Sequence, residues 1–269
     1  LKVRRGSAPL VLAFPHGGTE IPPGLEPEFV SAWLARRDTD WWIAQVYAFA
    51  ERLDVTLVQT AISRSVIDVN RDPSGASLYP GQATTALCPL TTFDGEPLHR
   101  SGFAPSDQEI ADRRLRWFAP YHDALGAEIN RVREQHDHVV LYDCHSIRSR
   151  IPRLFEGELP QFNIGTYDGR SCARGLSDRI ASICANSGMS HILNGRFKGG
   201  YTTRHYGQPA GGIHAVQMEL ACRGYMPEPV TSPTPQNWPA PFTSELAHPL
   251  IDTLEHIISA CLHWAHPPS

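Results

Sequence analysis

Two histidines stand where apolar, strand-like runs end. His16 follows "LVLAF" and Pro15, and His145 follows "VVLYDC". In open α/β sheets, reactive groups collect beyond the carboxyl ends of the strands. A lone histidine is more often a satisfied core or surface residue, but two at equivalent strand ends point to one spot and suggest a metal. A catalytic zinc takes three protein ligands, usually His and carboxylate, and keeps a further position open. Candidates for the third ligand are Glu20, in the loop with His16, and Asp38 or Asp40, at an expected helix start where capping is the competing role. Asp143 lies on the strand before His145. Alternation is expected to aim it elsewhere, as support for a ligand.

Hydrolysis at such a centre needs a base that takes a proton from water. Glu219, in "IHAVQMEL", is the candidate, because a carboxylate among apolar neighbours is costly unless it is used. Arg64, Arg71, Arg148 and Arg204 lie in segments near expected strand ends. Guanidinium groups grip carboxylates in a bidentate fashion, so the set suggests an anionic, carboxylate-bearing substrate. Of the 24 basic residues only Lys2 and Lys198 are lysines, and Lys198 sits in a glycine-rich loop. The glycines at Gly17 and Gly18 do not make a phosphate loop. The Gly-Lys-Ser/Thr ending and the third glycine of the dinucleotide fingerprint are missing, and Pro22 and Pro23 prevent an immediate helix.

The elements that must position these groups alternate in type. Short strands are expected at 9–14, in "VTLVQT", "ISRSVIDV", "HVVLYDC", "FNIGTYDG" and "SHILNG", and in "IHAVQMEL", where Ala215, Gln217 and Glu219 share one side. Helices are expected from Asp38 or Thr39 to about Leu53, from a Ser106–Glu109 capping box to about Gln135 with a kink at Pro120, over 173–187, and from Ser244 to Trp264. The region 70–105 reads as an ordered loop around a site, and 195–212 as a second glycine-rich loop. This interleaving predicts one α/β domain over residues 1–269, a mixed sheet flanked by helices.

The bulk composition narrows the partners. A 269-residue chain that is 41% hydrophobic buries a large core, and a net charge of -4 argues against nucleic acid. No apolar run approaches a membrane span, and the N-terminal stretch has no signal-peptide pattern. The six cysteines, at 88, 144, 172, 184, 222 and 261, form no CxxC pair, so free thiols in a reducing cytoplasm are expected.

A wider pattern runs through these segments. "PHGGTEIP", "DTDWW", "SRSVIDVNR", "ASLYPGQATTALCPLTTFDGEPL", "DCHSIRS", "PRLFEG", "NGRFKGGYTTRHYG" and "HAVQMEL", in order from about residue 9 to 226, closely resemble the N-formylglutamate amidohydrolase (deformylase) family. The resemblance implies a fold related to the zinc carboxypeptidases and aspartoacylase. It implies a zinc enzyme, or one using another divalent transition metal, that hydrolyses N-formyl-L-glutamate to formate and L-glutamate in histidine degradation. It makes His16 and His145 metal ligands and Glu219 the base, and puts Asn70 and Arg71 on the substrate, with Arg148, Lys198 and Arg204 as further carboxylate contacts. The carboxypeptidase spacing is His-x-x-Glu, whereas Glu20 is one residue further from His16. The second Asp of "DTDW" recurs in the family, which favours Asp40 as third ligand. The partner implied is a small dicarboxylate. The competing readings are the same machinery on another N-acyl amino acid or a peptide terminus, and a degenerate carboxylate-binding protein.

Overall fold

The computed structural model describes residues 1–77, 81 and 84–265; positions 78–80 and 82–83 of the expected loop lie outside the described residues. Seven strands form one sheet: β1 (Lys2–Arg4), β2 (Leu10–Phe14), β3 (Thr56–Gln59), β4 (Val139–Ile147), β5 (Phe162–Gly165), β6 (His191–Leu193) and β7 (Ile213–Ala221). Their order is β1-β3-β2-β4-β7-β5-β6. The four central strands, β3, β2, β4 and β7, run parallel, and β1 and β5 join their neighbours antiparallel. The helices are α1 (Ile43–Val46), α2 (Asp107–Arg113), α3 (Ala119–Arg133), α4 (Arg174–Asn186), α5 (Tyr201–Tyr206) and α6 (Ser244–Ala265).

Central parallel strands are covered on both faces, so β2 and β4 are buried throughout. On β4, Val140, Tyr142 and Cys144 pack in one cluster with Leu176 and Ile180 of α4 and Leu254 and Ile257 of α6. Val139 and Leu141 pack on the other face with Leu125, Ile129 and Val132 of α3. β7 repeats the pattern, with Val216, Met218 and Leu220 in the first cluster and Ala215 in the second. Alternation therefore carries the α3 side of both strands from apolar residues into Asp143, His145, Gln217 and Glu219. The core gives way to the site along the same face of the same two strands.

The capping box forms as expected: Glu109 N donates to Ser106 Oγ at 3.3 Å, and Ser106 N donates to the Glu109 carboxylate at 2.7 Å. A π-helical turn, Arg114–Phe118, lies just before Pro120, whose ring cannot continue the ordinary ladder. All six cysteines are buried and unpaired.

Three expected elements differ. The helix expected to reach Leu53 is reduced to α1 and a 3-10 turn at Ala48–Arg52, and neither Asp38 nor Asp40 caps it; the residue preceding α1 is Trp42, at φ 61°. "ISRSVIDV" makes turns rather than a strand, because its polar groups bond locally: Val66 N donates to the Ser63 carbonyl, and Asn70 N to Asp68 Oδ1. The loop over 195–212 contains α5. Gly200 precedes α5, and a Cβ there would lie 2.4 Å from the Asn70 amide nitrogen, so only glycine lets the two segments meet.

Candidate metal centre and cavity

His16, Asp40 and His145 are buried, and one ligand atom from each lies within 4.8 Å of the others. β4 supplies His145 from within its length rather than from its end. His16 follows β2, and the parallel register of Ala13 with Asp143 brings it level with the end of β4. The Asp40 backbone N–H donates to the His16 carbonyl at 3.1 Å, and Asp40 Oδ2 accepts from Ser146 N at 2.9 Å. These two bonds divert Asp40 from capping and pin it between the two strands.

Each histidine is held from behind by a buried aspartate. His16 Nε2 donates to Asp68 Oδ1 at 2.6 Å, and His145 Nε2 lies 2.9 Å from Asp143 Oδ2. Asp143 thus shares a face with His145, two residues away, and supports it directly; the expectation that alternation aims it elsewhere is corrected, because strand period is two. With both Nε2 atoms turned to carboxylates, the two Nδ1 atoms face each other at 3.1 Å, with one proton between them at most. Asp40 Oδ2 lies 3.3 Å from His145 Nδ1 and 3.9 Å from His16 Nδ1. Asp40 Oδ1 is buried without a hydrogen-bond donor. Three acceptors that converge with too few protons among them fit a cation, and the His–carboxylate pairs are the usual support of a metal-bound imidazole.

The electrostatics agree. Burial, reinforced by Arg64, pushes His16 down to about 4 against the pull of Asp68. Burial also opposes charge on His145, but Asp143 and Asp40 outweigh it and hold its pKa well above the ordinary value. The opposite directions leave His16 neutral and favour a proton on His145, in the space a bound cation would take. Burial would raise Asp40, yet His145, His16 and Arg64 keep it below the usual carboxylate range.

Glu219 pairs in register with His145 and opens onto the same cavity. Burial, with help from Asp40, raises its pKa to about 8. Gln217 Nε2 lies 3.4 Å from its carboxylate. Arg64 lines the cavity with its guanidinium 2.7 Å from Asp68, 3.5 Å from Asp40 and over the Phe93 ring.

Of the expected substrate residues, Asn70 and Arg71 line this cavity. Asn70 Nδ2 donates to Asp143 Oδ2 at 3.2 Å and its Oδ1 accepts from Thr202 N at 2.8 Å, so it also braces the His145 pair. Arg148, Lys198 and Arg204 are not in the cavity lining. Arg148 is paired with Asp94, Lys198 with Asp168 at 3.1 Å, and Arg204 bonds the Gly199 carbonyl and lies over Tyr167. Glu20 is exposed and stands apart from the ligand cluster, and Asp38 accepts from Phe93 N at 2.6 Å. Asp68 and Arg196 join the site without a role expected from the sequence. Asp68 could have been noticed as a charged residue between Ile67 and Val69; Arg196 carried no signal beyond its place in the second glycine-rich loop.

A mostly parallel α/β sheet with a buried His/Asp/His cluster toward the carboxyl ends of its strands defines a class of enzyme architecture with a candidate metal centre. Residues 8–226 match the family model for N-formylglutamate amidohydrolase, and the chain belongs to that family. It is 44% identical over 265 residues to the N-formylglutamate deformylase of Pseudomonas putida, covering 98% of this chain and 96% of that one. The N-formylglutamate deformylase of Pseudomonas aeruginosa is 42% identical over 269 residues, with the same coverage. The fold is similar to the crystal structure of N-formylglutamate amidohydrolase from Ralstonia eutropha JMP134, with a TM-score of 0.75 at 22% identity, covering 96% of this chain and 97% of that one.

Proposed function

We propose that this chain is a zinc-dependent amidohydrolase that cleaves N-formyl-L-glutamate to formate and L-glutamate. The observation that carries the reading is the opening of Glu219 onto one cavity with His16 and His145, whose free nitrogens converge with Asp40. The near full-length similarity to two N-formylglutamate deformylases supports the substrate.

His16, Asp40 and His145 would hold the metal. A bound divalent ion supplies a Lewis acid for the formyl carbonyl and, by its charge, favours the ionised form of Glu219. Glu219 takes a proton from the attacking water and returns it to the leaving nitrogen as the formyl C–N bond breaks. Arg64 donates to the oxygen that gains charge in the transition state. Arg71 grips a substrate carboxylate, steadied by bonds to the Thr85 carbonyl and hydroxyl at 3.1 and 2.9 Å. The role in histidine breakdown and a cytoplasmic location belong to the same proposal.

Formate release from N-formyl-L-glutamate is expected from the purified protein, to be lost with a chelator and restored by zinc, with metal content measured in parallel. Activity that survives complete metal removal would contradict the metal assignment. Glu219→Gln is expected to lower turnover by about 10²-fold or more while metal is retained. Near-normal turnover in that variant would remove Glu219 from the reaction.

A further inference from the structure

The proposed substrate has two carboxylates, and the residues used above account for one. We propose that Arg196 is the specificity-determining residue that binds the side-chain carboxylate, an assignment that rests on the N-formylglutamate reading. Arg196 lines the same cavity as His145 and Glu219. It arrives after β6, at one edge of the sheet, whereas Arg64 and Arg71 arrive on the segment after β3, on the other side of the β4–β7 pair. The two groups of guanidinium therefore come to the cavity from opposite wings of the fold.

Bond counting assigns the carboxylates. In N-formylglutamate the α-carboxylate carbon is about three bonds from the formyl carbon and the side-chain carboxylate carbon about five. The nearer carboxylate belongs with Arg71, which lies 3.7 Å from Asp68, itself bonded to His16. The farther one must cross two methylene groups, and the cavity offers an apolar strip for them. Ile147, Leu154 and Phe197 line it, and all three belong to a small apolar cluster separate from the main cores. Arg196 stands beside this strip. Its Nε donates to the Leu154 carbonyl at 2.9 Å, which fixes one edge of the guanidinium plane to the backbone of the strip itself. The strip would take the methylenes and Arg196 the charge at their end, as expected of a site with an apolar body and one placed polar group. The alternative cations, Arg148, Lys198 and Arg204, lie outside the lining.

The test compares N-formyl-L-glutamate with N-formyl-L-glutamine, which has nearly the same shape without the second charge. The wild-type enzyme is expected to prefer the glutamate compound. Arg196→Met is expected to lower kcat/KM for N-formyl-L-glutamate by about 10²-fold, the scale of a lost charge-assisted pair. The same change should leave N-formyl-L-glutamine within about threefold, which also shows that the variant is folded and competent. Arg196→Lys should recover part of the preference. A parallel fall for both substrates would overturn the assignment while leaving formyl hydrolysis intact. Equal use of both substrates by the wild type would overturn it as well. Wild-type protein that leaves both substrates uncut would instead overturn the proposed reaction, and this assignment with it.

Discussion

His145 and His16 present the same nitrogen to the same space, each with its other nitrogen held by a buried aspartate, yet one pair is built inside a strand and the other from loops. Asp143 and His145 are two residues apart on β4, between β2 and β7, so the sheet ladder sets their spacing, with Asn70 as a brace. His16 and Asp68 are 52 residues apart, and Asp68 is steadied by Arg64 at 2.7 Å and by Asn70 N at 2.9 Å. Burial would raise Asp68, but Arg71, His16 and Arg64 hold its pKa well below the usual range. The strand-built arm is rigid because of hydrogen bonds it shares with its neighbours. The loop-built arm is rigid because of charges, and those charges belong to arginines that face the cavity. Under the proposed function, the arginines that would grip substrate also steady the carboxylate behind His16, whereas the carboxylate behind His145 is set mainly by the strand and Asn70.

Removing the ring itself should give the largest effect and show no difference between arms. His16→Ala and His145→Ala are each expected to abolish stoichiometric metal binding, read by elemental analysis after dialysis. A variant that keeps full metal content would exclude its residue from the ligand set. Removing the supporting carboxylate should be milder and should separate the arms. Asp143→Asn and Asp68→Asn are each expected to weaken metal affinity by about 10- to 100-fold. At saturating metal, however, only Asp68→Asn should also raise KM, because it releases Arg64 and Arg71. Equal KM values in the two variants would break the comparison.

The smallest effect lies one layer behind the loop arm. His122 Nε2 donates to the Val69 carbonyl at 2.8 Å, between Asp68 and Asn70 in the chain. Burial pushes its pKa from 6.5 down to about 4. Between those values the unfolded chain binds the proton and the native protein does not, so stability is fully present above 6.5 and falls as the pH drops toward 4. The loss is about 3 kcal/mol. Denaturant unfolding of the wild type and of His122→Gln between pH 7 and 4 should show a shallower acid decline in the variant. Parallel curves would mean that His122 is not the group responsible.

The strand-built half of the site was far more legible in the sequence than the loop-built half. "IHAVQMEL" alternates, and its alternation places Gln217 and Glu219 together as the structure does. The same rule applied to β4 would have put Asp143 beside His145. The loop half resists such reading because nothing local ties Asp68 to His16; their meeting depends on the β2–β3 pairing and on turns that the β-branched residues of "ISRSVIDV" disguise as a strand. Asp38 and Asp40 look like helix caps, and only the fold shows that the first serves Phe93 N and the second Ser146 N. Arg148 has a plausible position in the chain, but Asp94 occupies it. Proximity in sequence shows which arginines are near strand ends, and not which of them already have a partner.

The chain crossing before α6 also bears on the site. Trp238 Nε1 donates to the Arg37 carbonyl and Trp42 Nε1 to the Ala240 carbonyl, across 201 and 198 residues. Trp33 Nε1 donates to the Trp238 carbonyl across 205. These bonds strap the segment that presents Asp40. During synthesis His16, Asp40 and His145 all leave the ribosome well before Trp238 and Ala240 do. The three candidate ligands are therefore all made before the clasp, and the segment that presents Asp40 is strapped only once Trp238 and Ala240 have joined the chain.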